Sequence, residues 1–226
     1  MLDAWTSLDT APLWLTLRIA SLATLLALLA GVALGWMFAR TRLPGRGLLE
    51  ALCMLPLVLP PTVLGYALLV AMGRRSTLGQ WLREHFDYTV IFNWHGAVIA
   101  SALVALPLVL KGASAAFAQV DRRLEAAART LGQSAWGSFV RVTLPLAWPG
   151  ILAGTLLAFA RAMGEFGASL MVAGSIPGQT QTASMAIYDA VQAGRDDLAF
   201  TLAAVVSAVS VLILVLSNRY LQRHAS

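Results

Sequence analysis

Charge is scarce in this sequence. Asp, Glu, Lys and Arg make up 12% of its 226 residues, about half of the ~25% usual in a soluble domain. Too little polar surface remains to cover a water-soluble globule of this length. Cysteine is nearly absent: Cys53 stands alone in an apolar stretch, which excludes an intrachain disulfide and leaves no redox pair. Motifs that carry chemistry are missing as well. There is no GxxxxGK[ST] phosphate loop, no HExxH zinc motif and no GxSxG nucleophile elbow. Gly45, Gly47 and Gly132 stand near basic residues but without phosphate-loop spacing. His85 and His95 have no accompanying carboxylate pattern, and His224 is in the tail. No catalytic residue and no metal site are expected. Met1 to Pro12 carries Asp3 and Asp9 but no Lys or Arg, so no cleavable basic leader is expected.

What is abundant is apolar. Hydrophobic residues make up 58% of the chain and the mean hydropathy is +0.74. They gather into runs of about 20 residues, the length that crosses a bilayer as a helix. Five such spans are expected, at about 13–39, 48–72, 94–117, 146–170 and 198–217, forming an all-α polytopic bundle with one transmembrane domain over 1–226. The formal net charge of +5 does not point to nucleic acid. The basic residues lie in short loops beside the apolar runs and lack any groove-binding motif, so they read as topology determinants. Arg40, Arg42, Arg46, Lys111, Arg122, Arg123, Arg129, Arg141, Arg219 and Arg223 fall on one side of a five-span chain. Only Arg74, Arg75, Arg83 and Arg195 fall on the other. The positive-inside rule then puts the C-terminus in the cytoplasm and the N-terminus outside. A sixth span over Thr77–Asn93 would bury Arg83, Glu84, His85 and Asp87 at high cost.

One hydrophilic stretch interrupts this pattern. Glu125 to Pro145 reads EAAARTLGQSAWGSFVRVTLP. Leu124 to Leu131 contains Ala126, Ala127 and Ala128, strong helix formers. Gly132 suits a helix end that needs a left-handed residue. Ser134 can cap a second short helix to about Val140, and Leu144-Pro145 opens the fourth span. The expectation is helix, tight turn, helix, held at the cytoplasmic face; an ordinary amphipathic segment resting on headgroups fits the same residues.

The stretch resembles the cytoplasmic coupling loop of ABC importer permeases. That family's pattern is Glu-Ala-Ala, then Gly, then a β-branched residue and Leu-Pro. Gly132, Val142, Leu144 and Pro145 stand at the family spacing. The usual glutamate position is occupied by Ala126, and Glu125 comes one residue early. On a helix that offset rotates the carboxylate by about 100°. LPLVLPPTVLGYALL (Leu55–Leu69) and ARAMGEFGASLMVAGSIPGQTQTASMAIYDA (Ala160–Ala190) are similar to molybdate importer permeases, and more loosely to sulfate ones. The likeness spans about Leu13 to Leu216.

The resemblance implies an ABC type I importer permease fold with a coupling loop over 121–145, using Glu125, Ala126, Ala127, Gly132, Leu144 and Pro145. It implies a second copy of the chain, two cytoplasmic ATPase subunits that bind ATP and Mg, and an external or periplasmic molybdate-binding protein that carries most of the selectivity. This chain itself would hold no cofactor. The implied location is the bacterial plasma (inner) membrane. Sulfate, thiosulfate or tungstate remain alternative cargoes. A stand-alone channel or an intramembrane enzyme is the alternative of a different class. A channel has no need of a coupling loop, and an enzyme needs a nucleophile and base that the spans do not display.

Within the spans, four residues are candidates for the pathway or gate. Arg161 and Glu165 lie four apart on one face of the fourth span, where charges usually face protein or water. An interfacial structural pair is the competing reading, with Glu165 about 30 Å along the helix from Pro145. Pro60 and Pro61 break the backbone ladder of the second span, and Thr62 can satisfy a freed carbonyl. Gly164 and Gly167 permit close packing or a flexible exit. Arg18 and Lys111 sit near span ends, where snorkelling explains them; Arg18 at the outer mouth can also attract an anion. A short outer helix is expected within Gln179–Gly194. Trp14, Trp36, Trp94, Trp136 and Trp148 read as interfacial anchors.

Overall fold

The computed structural model describes residues 10–41 and 44–225, with side chains through 215. Asp3, Asp9 and Arg42 lie outside the described residues, as do the side chains of Arg219, Arg223 and His224. Among the described residues every regular element is helical: α1 Ala11–Arg40, α2 Arg46–Val58, α3 Pro61–Met72, α4 Thr77–Phe86, α5 Trp94–Gln119, α6 Arg122–Thr130, α7 Ala135–Ser138, α8 Leu144–Met163, α9 Gly167–Ala173, α10 Ala183–Gln192 and α11 Asp196–Ala225. A π-helical turn, Phe139–Thr143, joins α7 to α8.

The core is a seam of small residues. α1 turns Ala20, Ala23, Ala27, Gly31 and Gly35 inward. A Cβ at Gly31 would stand 2.8 Å from Val109 Cβ, and one at Gly35 would stand 2.8 Å from Ala113 Cβ, both on α5. In lipid, where helices gain no hydrophobic drive to associate, this close approach supplies the contact. α5 and α8 meet in the same way but antiparallel. A Cβ at Gly112 would stand 2.9 Å from Gly154 Cα, and one at Gly150 would stand 2.7 Å from Ala116 Cβ. Outward, α1 exposes Leu22, Leu25, Leu26 and Leu29, an apolar face suited to acyl chains. Gly154→Val would push its side chain against the Leu108 carbonyl oxygen, 2.9 Å from the first added carbon. Backbone cannot yield there, so the expected outcome is a loss of about 1–3 kcal/mol or more, read as a lower unfolding midpoint in detergent.

The contacts also fix the relative direction of the spans. Residues 18, 31, 35 and 40 of α1 lie against 94, 109, 113 and 120, so α1 and α5 run in the same direction. The intervening chain must therefore return across the bundle once. α2 and α3 carry that return as one broken span bent by 111°. Four unbroken helices and this pair make five crossings, as expected from the sequence. At ten residues α4 is about 15 Å long, too short for a sixth.

Two spans differ from their expected form. The second is broken outright at Pro60-Pro61, not merely kinked. Leu59 and Pro60 are both extended (ψ 142° and 137°), because each precedes a proline that disfavours the helical region. Pro61 then starts α3, where a missing N–H costs nothing. The fourth span does not run to 170. Its helix stops at Met163, and Gly167–Ala173 forms a separate helix after a break at 164–166. Its other end is longer than expected: Ala135–Met163 is helical throughout, 29 residues, so Leu144-Pro145 continues a helix that has already begun.

Candidate functional site: a braced helix at one end, two broken spans at the other

The polar stretch folds close to expectation. Asp121 caps α6, its Oδ1 accepting from Arg123 N at 2.8 Å. α6 ends where Leu131 and Gly132 donate to the carbonyls of Ala127 and Arg129. Gly132 takes φ +85°, the left-handed region. Ser134 Oγ accepts from Gly137 N at 3.0 Å and caps α7. No residue of α6 is buried. Ala126 and Ala127 are exposed, and the apolar side chains of Leu131 and Trp136 are 83% and 72% exposed. This end of the molecule presents a bare, partly apolar surface.

Glu125 faces the other way. Its Oε1 accepts from Arg40 Nη2 at 2.6 Å and from Thr143 Oγ1 at 2.7 Å. Its backbone carbonyl accepts from Ser138 Oγ at 3.4 Å. The one-residue offset thus has a structural outcome. The exposed family position carries Ala126, and the carboxylate is rotated inward onto the chain's own body. Committed to Arg40 and Thr143, the carboxylate acts as a brace within the chain. Arg40 and Thr143 were not legible as site residues. Arg40 reads as one more topology charge, and no local pattern links it to a residue 85 positions later.

At the opposite end of α8, the pathway candidates come together. Arg161 Nη1 and Glu165 Oε2 are 2.9 Å apart, and the Glu165 side chain is 1% exposed. Glu165 lies in the break after α8, not within the span. Its Oε1 accepts from Ala168 N at 3.0 Å, tying off the first turn of α9. A Cβ on Gly167 would stand 2.7 Å from Pro61 Cβ. The two breaks, at Pro60-Pro61 and at 164–166, therefore abut. α3 continues along α9, with Gly65 against Ala168 and Met171. Non-helical backbone at membrane depth survives only where protein or water covers it; here Glu165 is buried in its break, while Pro60 and Pro61 are exposed. This junction and the braced end are separated by the length of α8, 20 residues, about 30 Å.

The remaining candidates have defined neighbours. The Arg18 guanidinium lies 4.1 Å from the centroid of the Trp94 ring. It borders an outer cavity of about 440 Å³ with Asn93, Gln179 and Gln181. Lys111 does not simply snorkel: its Nζ is 2.5 Å from Glu50 Oε1 on α2. The outer segment forms α10, capped by Thr182 and tied to α1 where Ala183 N donates to Thr16 Oγ1 at 2.8 Å.

Five crossings, an exposed helix braced against the spans and broken spans at the far end define a class, a multi-pass membrane protein. The sequence profile of the binding-protein-dependent transport system inner membrane component family matches residues 31–226, and the chain belongs to this family. The molybdenum transport system permease protein ModB of Escherichia coli (strain K12) is 42% identical over 218 residues, 95% of each chain. The sulfate transport system permease protein CysT of the same strain is 36% identical over 199 residues, 88% of this chain and 72% of that one. A chain in the crystal structure of a bacterial ABC transporter involved in the import of the acidic polysaccharide alginate superposes with a TM-score of 0.78. The match covers 98% of this chain and 83% of that one, at 16% identity. At that identity the likeness concerns the fold, which is that of an ABC importer permease.

Proposed function

We propose that this chain is the permease subunit of an ATP-driven importer that moves molybdate across a bacterial inner membrane. The observation that carries the coupling is α6: a helix with no buried residue, flanked by exposed Leu131 and Trp136, yet held by Glu125 to the spans. A helix that needs no cover of its own and is still firmly attached is suited to receive a push from a cytoplasmic partner. The partners are a second copy of the chain, two ATPase subunits that hold ATP and Mg, and an external binding protein. The basic residues at the α6 end put that end in the cytoplasm.

The mechanism is alternating access. Closure of the ATPases displaces α6 and, through α8, the junction about 30 Å away. Arg161, Glu165, Pro60 and Pro61 form the gate-side hinge. At Pro60 and at 164–166 the helical ladder is already interrupted, so the segments can rotate without breaking further backbone hydrogen bonds. The two states differ in contacts at both ends, which is what lets one bias the other.

The 42% identity with a molybdenum permease over nearly the full chain favours molybdate over the sulfate cargo of the 36% relative. The test is ATP-dependent uptake of radiolabelled molybdate into proteoliposomes holding the permease, its ATPase and its binding protein. Uptake that resists excess sulfate is expected. Uptake abolished by sulfate moves the assignment to a sulfate system.

A further inference from the structure

We infer that Arg40 is a positioning residue for energy coupling: with Glu125 and Thr143 it forms an ionic clasp that locks the cytoplasmic helix to three spans. Arg40 is the last residue of α1, and its side chain is 10% exposed. Its Nη2 donates to Glu125 Oε1 on α6 at 2.6 Å and to the Val120 carbonyl at 3.3 Å. Val120 follows the end of α5, where the carbonyls have no helical partner. Thr143 Oγ1, buried at the end of the π-helical turn that leads into α8, donates to the same Glu125 oxygen at 2.7 Å. One guanidinium and one carboxylate thus join α1, α5, α6 and the root of α8.

Geometry makes this joint stiff. α6 buries no side chain of its own, so apolar packing does little to hold it. Without the clasp it is fastened mainly through its chain ends and the Ser138–Glu125 bond. The Arg40–Glu125 pair is charge-assisted and mostly withdrawn from water, where such pairs are least screened. The wide π-turn at 139–143 brings Thr143 to the same oxygen, so a displacement of α6 is passed to α8 at the residue just before its first. Arg40 Nε is buried and has no partner. No second acceptor competes for that face of the fork, and removing Glu125 would strand the charge. A push on α6 therefore moves α1, α5 and α8 together and does not bend the loop.

The coupling role rests on the importer reading above, and two readouts separate the clasp from that reading. The first is hydrogen exchange at the amides of 122–138 in the full chain purified in detergent. Arg40→Ala is expected to speed exchange by about tenfold or more. Unchanged exchange overturns the clasp whatever the protein transports. The second is molybdate moved per ATP hydrolysed in the reconstituted complex, a ratio that a lower yield of folded protein does not alter. Arg40→Ala and Glu125→Ala are each expected to lower it by about tenfold, Thr143→Val by less, and the exchange Arg40→Glu with Glu125→Arg to restore part of the loss. An unaltered ratio in Arg40→Ala sinks the coupling role. Wild-type complex that moves no oxyanion sinks the importer reading and leaves the exchange experiment to decide the clasp. Should Arg40→Ala fail to accumulate, Arg40→Lys keeps the charge and loses the fork, and the same two readouts apply.

Discussion

Gly132→Pro abolishes transport while the protein still reaches the membrane. Gly132 holds φ +85°, and the proline ring locks φ near −65°. The substitution therefore cannot be absorbed in place. It also removes the N–H that donates to the Arg129 carbonyl at 3.0 Å. The turn between α6 and α7 must rebuild, at a local cost of about 3 kcal/mol or more, and α6 then leaves the angle at which Glu125 meets Arg40. The rest of the fold is not involved: a Cβ at this position would meet nothing within 4 Å, so insertion and span packing are untouched. A graded series isolates the cause. Gly132→Ala keeps the N–H and adds only the left-handed penalty of about 1–2 kcal/mol. Gly132→Asn costs less, since asparagine visits that region. Uptake per ATP is expected to fall in the order Gly, Asn, Ala, Pro, with proline at background. Full transport by Gly132→Pro at normal membrane abundance overturns both the turn's role and the coupling assigned to α6.

What could be read from the sequence follows the range of the interactions involved. The spans were legible because twenty apolar residues carry their own signal, and Gly132 and Ser134 because a turn and a cap are settled within a few residues. The two breaks were half legible. Pro60-Pro61 announces an interruption, but whether it yields a kink or a 111° bend depends on α3 finding α9 to lie on, a contact made by Gly65 and Gly167 a hundred residues apart. RAMGEFGAS holds both partners of Glu165, Arg161 and Ala168, but the same residues could have stayed in one helix; the break between them is set by Gly167 packing on Pro61, about a hundred residues earlier. Glu125 is the instructive case. Its register was visible, and the rotation of about 100° followed from helix geometry. The destination was not, since Arg40 is 85 residues away and pairs with it only because α1 and α5 run parallel.

Arg161→Ala lowers the yield of folded protein several-fold, and adding Glu165→Gln restores it. Glu165 forms an ion pair with Arg161 at 2.9 Å, and its side chain is 1% exposed. Removing the arginine leaves a buried charge with one amide donor, a loss of about 3–5 kcal/mol for a broken buried pair. Glutamine keeps an oxygen for the Ala168 amide and carries no charge, so the double variant leaves no buried charge unpaired and only amide donors without a partner, a smaller cost. Replacing both members of such a pair often costs little, and membrane yield and unfolding midpoint are expected to return near wild type. Transport then separates a brace from a gate. The junction of the two breaks is proposed to open and close, and an ion pair that re-forms in each cycle sets the balance of the two states by its differential strength. The double variant is expected to remain about tenfold below wild type in molybdate uptake. Uptake that recovers together with yield would mean that Arg161 and Glu165 only hold α9 in place, and the moving part of the gate would then have to be sought at Pro60-Pro61 alone.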